Sequence, residues 1–119
     1  MKHEDKPWGF FDQYSLNEPS TVRILTVKAR ARISLQSHSQ RREFWVALDE
    51  GLTVECESEV IPLNKGSSIT IERGVRHRLS CQGDREARIL EISFGDFSEN
   101  DIVRYEDDYG REKKRPRSD

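Results

Sequence analysis

Four side chains in this 119-residue chain are of kinds that together hold a divalent cation: Gln36, His38, Glu43 and His77. An amide oxygen, two imidazoles and a carboxylate make a mixed N/O set that suits Zn2+, Mn2+, Co2+ or Fe2+. Such a set leaves positions open for water or substrate. Gln36 and His38 are two residues apart, so on a strand they project from one face. Glu43 opens the next apolar run and returns toward that face across a short connection. His77 follows a glycine, Gly74, on a later segment. Taken singly, each has a plainer reading. A Gln-x-His pair on a strand is usually a surface pair, and His77 between Arg76 and Arg78 has the flanks of an exposed residue.

The elements that must position these groups are short and rich in β-branched residues: 22–27, 32–36, 43–48, 52–56, 68–71 and 87–94. Each is of strand length and several alternate polar with apolar. Turn signals separate them, at Asp49-Glu50-Gly51, Asn64-Lys65-Gly66, Arg73-Gly74 and Gln82-Gly83-Asp84. No window there holds a helical apolar stripe. The expected class is all-β, a sandwich or barrel. Residues 21–110 form its single domain. Residues 1–20, with Pro7, Trp8, Phe10, Phe11 and Pro19, read as an irregular arm packing on the barrel. Residues 111–119 read as a basic, disordered tail rather than a nucleic-acid contact.

Composition narrows the function classes. Apolar residues are 34% and charged residues 35%, so a small core lies beneath a heavily charged surface, with enough aromatics to argue against disorder. Twenty basic against 22 acidic residues leave a net charge of −2, which disfavours a globally basic nucleic-acid binder. The apolar runs, such as Phe44–Leu48, are too short to span a membrane as a helix. Met1–Lys6 lacks the apolar stretch of a secretory signal. Cys56 and Cys81 show no metal or disulfide spacing, so two free thiols in the cytoplasm are expected.

The cation residues also follow a known pattern. Gln36-Ser37-His38, four intervening residues and Glu43 resemble the centre of the first cupin motif. Gly66, Gly74 and His77 resemble the second, with Glu72 in place of its proline and Cys81 in place of its asparagine. More narrowly, the chain resembles the cupin domain of type II mannose-6-phosphate isomerases, a family often fused behind a GDP-mannose pyrophosphorylase. The resemblance rests on Lys6-Pro7-Trp8-Gly9, on Ser34, Leu35, Gln36, His38, Arg41, Glu43 and Trp45, and on Gly74–Leu79. Its most specific piece is the closing block Asp101–Arg111, present in full. Where the family carries two further histidines, this chain has Gln40 and Phe44.

The resemblance implies a cupin double-stranded β-helix (a jelly-roll barrel). It implies a divalent metal on Gln36, His38, Glu43 and His77, zinc first, with Mn, Co, Fe or Ni as alternatives. The implied reaction interconverts mannose 6-phosphate and fructose 6-phosphate through an enediolate, with Arg41 and Glu72 as catalytic candidates and Glu106 or Asp107 as other bases. Arg41, Arg76, Arg78 and Arg104 are expected at the sugar phosphate. Trp45 is expected to stack on the sugar or else to fill the core. Two other readings stay open: a non-catalytic cupin binding a sugar phosphate or nucleotide sugar, in view of Gln40 and Phe44, and another cupin enzyme such as an iron dioxygenase. A homodimer is expected, with no nucleic-acid or membrane partner.

Overall fold

The computed structural model describes residues 1–113. Among them there are eleven strands, no α-helix and one 3-10 turn at Arg111–Lys113. β1 (Lys2–Lys6) and β2 (Gly9–Gln13) form a hairpin of their own. β3 (Ser20–Val27), β5 (Arg41–Ala47), β8 (Ser68–Ile71) and β10 (Ala87–Gly95) form one sheet in the order β3-β10-β5-β8. β4 (Leu35–Ser37), β6 (Leu52–Cys56), β7 (Glu59–Leu63), β9 (His77–Cys81) and β11 (Val103–Glu106) form the other, in the order β11-β4-β9-β6-β7. Every pairing is antiparallel, and the two larger sheets face each other as a sandwich.

The strand alternation explains where the site must be. β5 buries every second residue: Arg41, Glu43, Trp45 and Ala47. Its inward face therefore runs from charged to apolar along one strand. β10 runs antiparallel to it and buries Ala87, Ile89, Glu91 and Ser93, changing from apolar to polar in the matching direction. β9 repeats the change, from His77 to Leu79 and Cys81. One end of the interior is consequently a dry core of Val54, Leu79, Ile89, Ala47 and Leu52. Burying each large aliphatic there contributes about 1.5–3 kcal/mol. The other end is a polar bowl.

The all-β expectation holds, and β6 and β8 fall on their predicted residues. Three departures have physical reasons. Residues 1–20 are not irregular through the first part: Lys2–Lys6 and Gly9–Gln13 pair across a turn at Pro7-Trp8. The chain then passes onto the outer sheet face, with Tyr14 against Phe44 at 4.5 Å between ring centroids and Glu18 paired with Arg42. The strand expected at 32–36 narrows to Leu35–Ser37, which leaves His38 just past its end, and it is preceded by an isolated bridge between Arg32 and Ser80. Of the expected tail, Arg111 is bonded to Asp107, and 114–119 lie outside the described residues.

Candidate metal centre

The candidate residues come from four places, Gln36 on β4, His38 in the loop 38–40, Glu43 on β5 and His77 at the start of β9, and backbone contacts bind these segments together. The Gly74 N–H donates to His38 O at 2.7 Å, tying the turn before His77 to the first histidine. Gly95, at φ +110°, ends β10 beneath the same loop. A Cβ there would lie 2.7 Å from Gln40 O, so only glycine allows this approach. Gln36 faces His77 across β4 and β9.

His38 and His77 are almost completely buried, which corrects the exposed reading of His77: the arginines beside it lie on its flanks while its ring turns inward. His38 Nδ1–H donates to Asp101 O at 2.8 Å, and His77 Nδ1–H donates to Val75 O at 3.0 Å. Those bonds fix the tautomers and direct both Nε2 atoms inward. His38 Nε2 lies 3.3 Å, and His77 Nε2 3.4 Å, from Glu43 Oε1. The donor atoms of the three residues all fall within 4.8 Å of one another. Three acceptors thus converge in a buried space, and His77 Nε2 and Glu43 Oε1 have no hydrogen-bond partner. Such an arrangement is unfavourable empty and suits a cation. Gln36 commits its amide nitrogen to Ser34 O (3.2 Å) and Ser34 Oγ (3.0 Å), which leaves its carbonyl oxygen to accept.

Charge around this cluster is balanced by buried partners. Burial alone would raise the Glu43 carboxyl, but His77, Glu91 and His38 beside it outweigh burial and hold it well below the usual range. Glu91 moves the opposite way, raised by burial and by Glu43 beside it, against the pull of Arg23 at 2.7 Å. Burial also lowers His38. Arg41 enters from below: its Nη1 donates to Ser98 O at 3.2 Å, its Nη2 lies 3.3 Å from His38 Nε2, and Phe97 stacks on its guanidinium.

The remaining expected residues are distributed unevenly around the bowl, a cavity of about 190 Å3. Arg41, Trp45 and Arg104 line it together with the cation residues. Trp45 is buried, edge-on to His77 at 5.4 Å, and forms the floor. Arg104 stands opposite Gln36 in the β11–β4 register, and its Nε is buried without a partner. Arg78 is a structural bolt, donating to Ile33 O and to Glu106. Arg76 is exposed and lies over Tyr105, outside the bowl. Glu72 is exposed on the turn after β8 and does not line the bowl. Glu106 is paired with Arg78, and Asp107 with Arg111. Gln40 is exposed, and Phe44 sits on the outer face against Tyr14, so neither replacement removes a group from the bowl.

Sequence reasoning missed Glu91 and Arg23 on the wall and Ser93, which donates to Glu43 Oε2 from β10, and it read Asp101 only as part of the closing block and not as a partner of loop 38–40. For the two on β10 the available signal was parity. Glu91 and Ser93 share the inward phase of Ala87 and Ile89 on β10.

Two facing antiparallel sheets with this cluster at the open end define a cupin. Solved cupins share the fold: a cupin protein from Bacteroides fragilis superimposes with a TM-score of 0.60 at 24% identity, covering 70% of each chain. A Cupin 2 conserved barrel domain protein from Salinispora arenicola gives 0.59 at 16%, covering 70% of this chain and 69% of that one. Within the cupins, the chain belongs to the family described as mannose-6-phosphate isomerase C-terminal, whose profile matches residues 2–107. Its relatives include the xanthan biosynthesis protein XanB of Xanthomonas campestris, 37% identical over 107 residues, and the mannose-1-phosphate guanylyltransferase ManC of Salmonella typhimurium, 36% identical. Both alignments cover 89% of this chain, but only 23% and 22% of those proteins' lengths.

Proposed function

We propose that the bowl is a metal-dependent sugar-phosphate isomerase site of the mannose-6-phosphate isomerase type, working on an aldose and ketose through an enediolate. The observation that carries this reading is the convergence of His38 Nε2, Glu43 Oε1 and His77 Nε2, two of them buried without a partner. These residues and Gln36 would hold the ion, zinc first, with Mn, Co, Fe or Ni as alternatives. A bound divalent cation supplies Lewis-acid polarisation of the sugar carbonyl and favours the developing oxyanion.

The chain's own residues bind and orient. Arg104, whose Nε is buried on this wall without a partner, offers charge-assisted hydrogen bonds to a phosphate, while Arg23 and Arg111 beside it are held by Glu91 and Asp107. Arg41 holds positive charge beside His38 and Glu43. Trp45 closes the floor against water. The test is formation of fructose 6-phosphate from mannose 6-phosphate by purified, metal-loaded protein, compared with His77→Ala. Turnover well above that control is expected; equal rates overturn the reading.

A second reading, a cupin that binds a sugar phosphate or nucleotide sugar without turnover, is favoured by one observation. Glu72 lies outside the bowl, and Glu106 and Asp107 are held in ion pairs, so the expected bases are spoken for. Calorimetric binding of mannose 6-phosphate without turnover supports it. Reduced thiols at Cys56 and Cys81 fit a cytoplasmic setting. Exposed Val22 and Ile24 on the edge strand β3, and Trp8 at the hairpin tip, fit a homodimer.

A further inference from the structure

We infer that Asp101 is a positioning residue that aims His38 at the ion, so that the closing segment of the chain is part of the metal centre. The inference rests on the metal reading above. Asp101 reaches 63 residues back to the ligand loop and grips it from both of its ends. Its Oδ1 accepts from the Ser39 N–H at 2.9 Å and from the Ser39 hydroxyl at 2.8 Å, and its Oδ2 accepts from the Gln40 N–H at 2.8 Å. Its main-chain carbonyl accepts from His38 Nδ1–H. Its own N–H donates to Ser98 O, the carbonyl that also receives Arg41.

The loop between β4 and β5 has no strand partner for the Ser39 and Gln40 amides, so the Asp101 carboxylate does the work a ladder would do. Bonds to an ionised carboxylate are the stronger kind. Burial works against the charge, yet these three bonds and nearby Arg41 hold the Asp101 carboxyl below its usual range. With the side chain pinned to residues 39 and 40, the carbonyl of the same residue is delivered to His38 Nδ1. That bond, together with Arg41 Nη2 lying 3.3 Å from Nε2, decides which ring nitrogen carries the proton. Without it only Arg41 keeps the ring from presenting Nε2–H, a donor, to the space where Glu43 and His77 present acceptors. Outer partners of metal-bound histidines act in this way and are worth 10–100-fold in metal affinity.

The experiment is competition for Zn2+ against a chromophoric chelator, with the wild-type chain, Asp101→Ala, Asp101→Asn and Ser39→Ala. It is read beside the visible absorption of each protein saturated with Co2+. Asp101→Ala should bind zinc about 10–100-fold more weakly. Asp101→Asn keeps one acceptor oxygen and should fall between it and wild type, and Ser39→Ala should lose least. The Co2+ spectrum of Asp101→Ala should shift, because the ligand field changes when His38 is no longer aimed. A purely structural role would leave the saturated spectrum unchanged. If Asp101→Ala does not fold, Asp101→Asn carries the comparison. Affinities within twofold of wild type and an unaltered spectrum overturn the inference. A wild-type chain that takes up no ion overturns the metal reading and this inference with it. Weakened zinc binding in a protein that proves inactive as an isomerase supports the inference and removes only the catalytic reading.

Discussion

Gly95 shows how tightly the bowl is built. It sits in the positive-φ region with Gln40 O 2.7 Å from where a Cβ would be, and the obstacle is backbone, which cannot rotate away as a side chain does. Backbone strain of this kind costs on the order of 1–3 kcal/mol. Gly95→Ala should therefore lower the unfolding free energy by about that amount in urea, and should loosen loop 38–40 enough to weaken zinc binding as well. Full stability with full zinc affinity would show that the loop is free to give way. The residue scale is also where sequence legibility divides. Gln36 and His38 were picked out by a spacing of two, which has one meaning on a strand, although β4 ends at Ser37 and His38 reaches the bowl from the loop just beyond it. The burial of Arg78 was not visible, because a charged letter in a charged chain carries no mark of it, and that of Glu91 showed only in its phase on β10. Each is kept inside by a partner distant in sequence: Arg23 for Glu91, and Ile33 O with Glu106 for Arg78.

The closing segment, β11 and the turn after it, is held by arginines, two from neighbouring segments and one of its own. Glu106 pairs with Arg78, Asp108 with Arg32, and Asp107 with Arg111. As an element it could not be read from alternation, since its acidic run looks solvated until its partners are known. The same holds for β1 and β2, whose polar residues hide a hairpin, and for β7, where Pro62 argues against a strand but is tolerated at the sheet edge. The core strands were legible because burial on one face imposes a period of two.

Within this segment Asp107 has the sharpest electrostatic signature. Arg111 donates to its carboxylate from Nε and from the backbone N–H, each at 2.7 Å, and these bonds hold its pKa at about 2. A carboxyl whose folded value is depressed contributes stability above its unfolded pKa, near 4, and loses it as pH falls through the folded value. Amide exchange at Gly110 and Arg111 should thus accelerate between about pH 4 and pH 2, beyond the intrinsic pH effect. In Asp107→Asn that extra dependence should vanish. An identical profile in both proteins would place the clamp elsewhere.

At the scale of the molecule, one barrel serves two ends with opposed demands. The dry end buries aliphatics and stabilises; the bowl gathers acceptors that repel one another when nothing lies between them. Folding therefore works against the site, and the ion should repay the difference. A ligand that binds only the folded state stabilises it by about 2.7 kcal/mol at a hundredfold excess over its dissociation constant. For a chain of 119 residues, intermediate between the size classes for which 1 kcal/mol moves the melting temperature by about 4–8 and 2–4 degrees, this amounts to roughly 10 degrees. Zinc at that excess should raise the wild-type melting temperature by about this much over the chelated protein. His77→Ala removes a ring from the wall and one of the converging acceptors, so it should melt below wild type with zinc and hardly respond to the metal. Calorimetric scans of both proteins with zinc and with chelator check this. An equal rise in the two would mean that the ion stabilises the barrel from some other place and that the bowl is not its site.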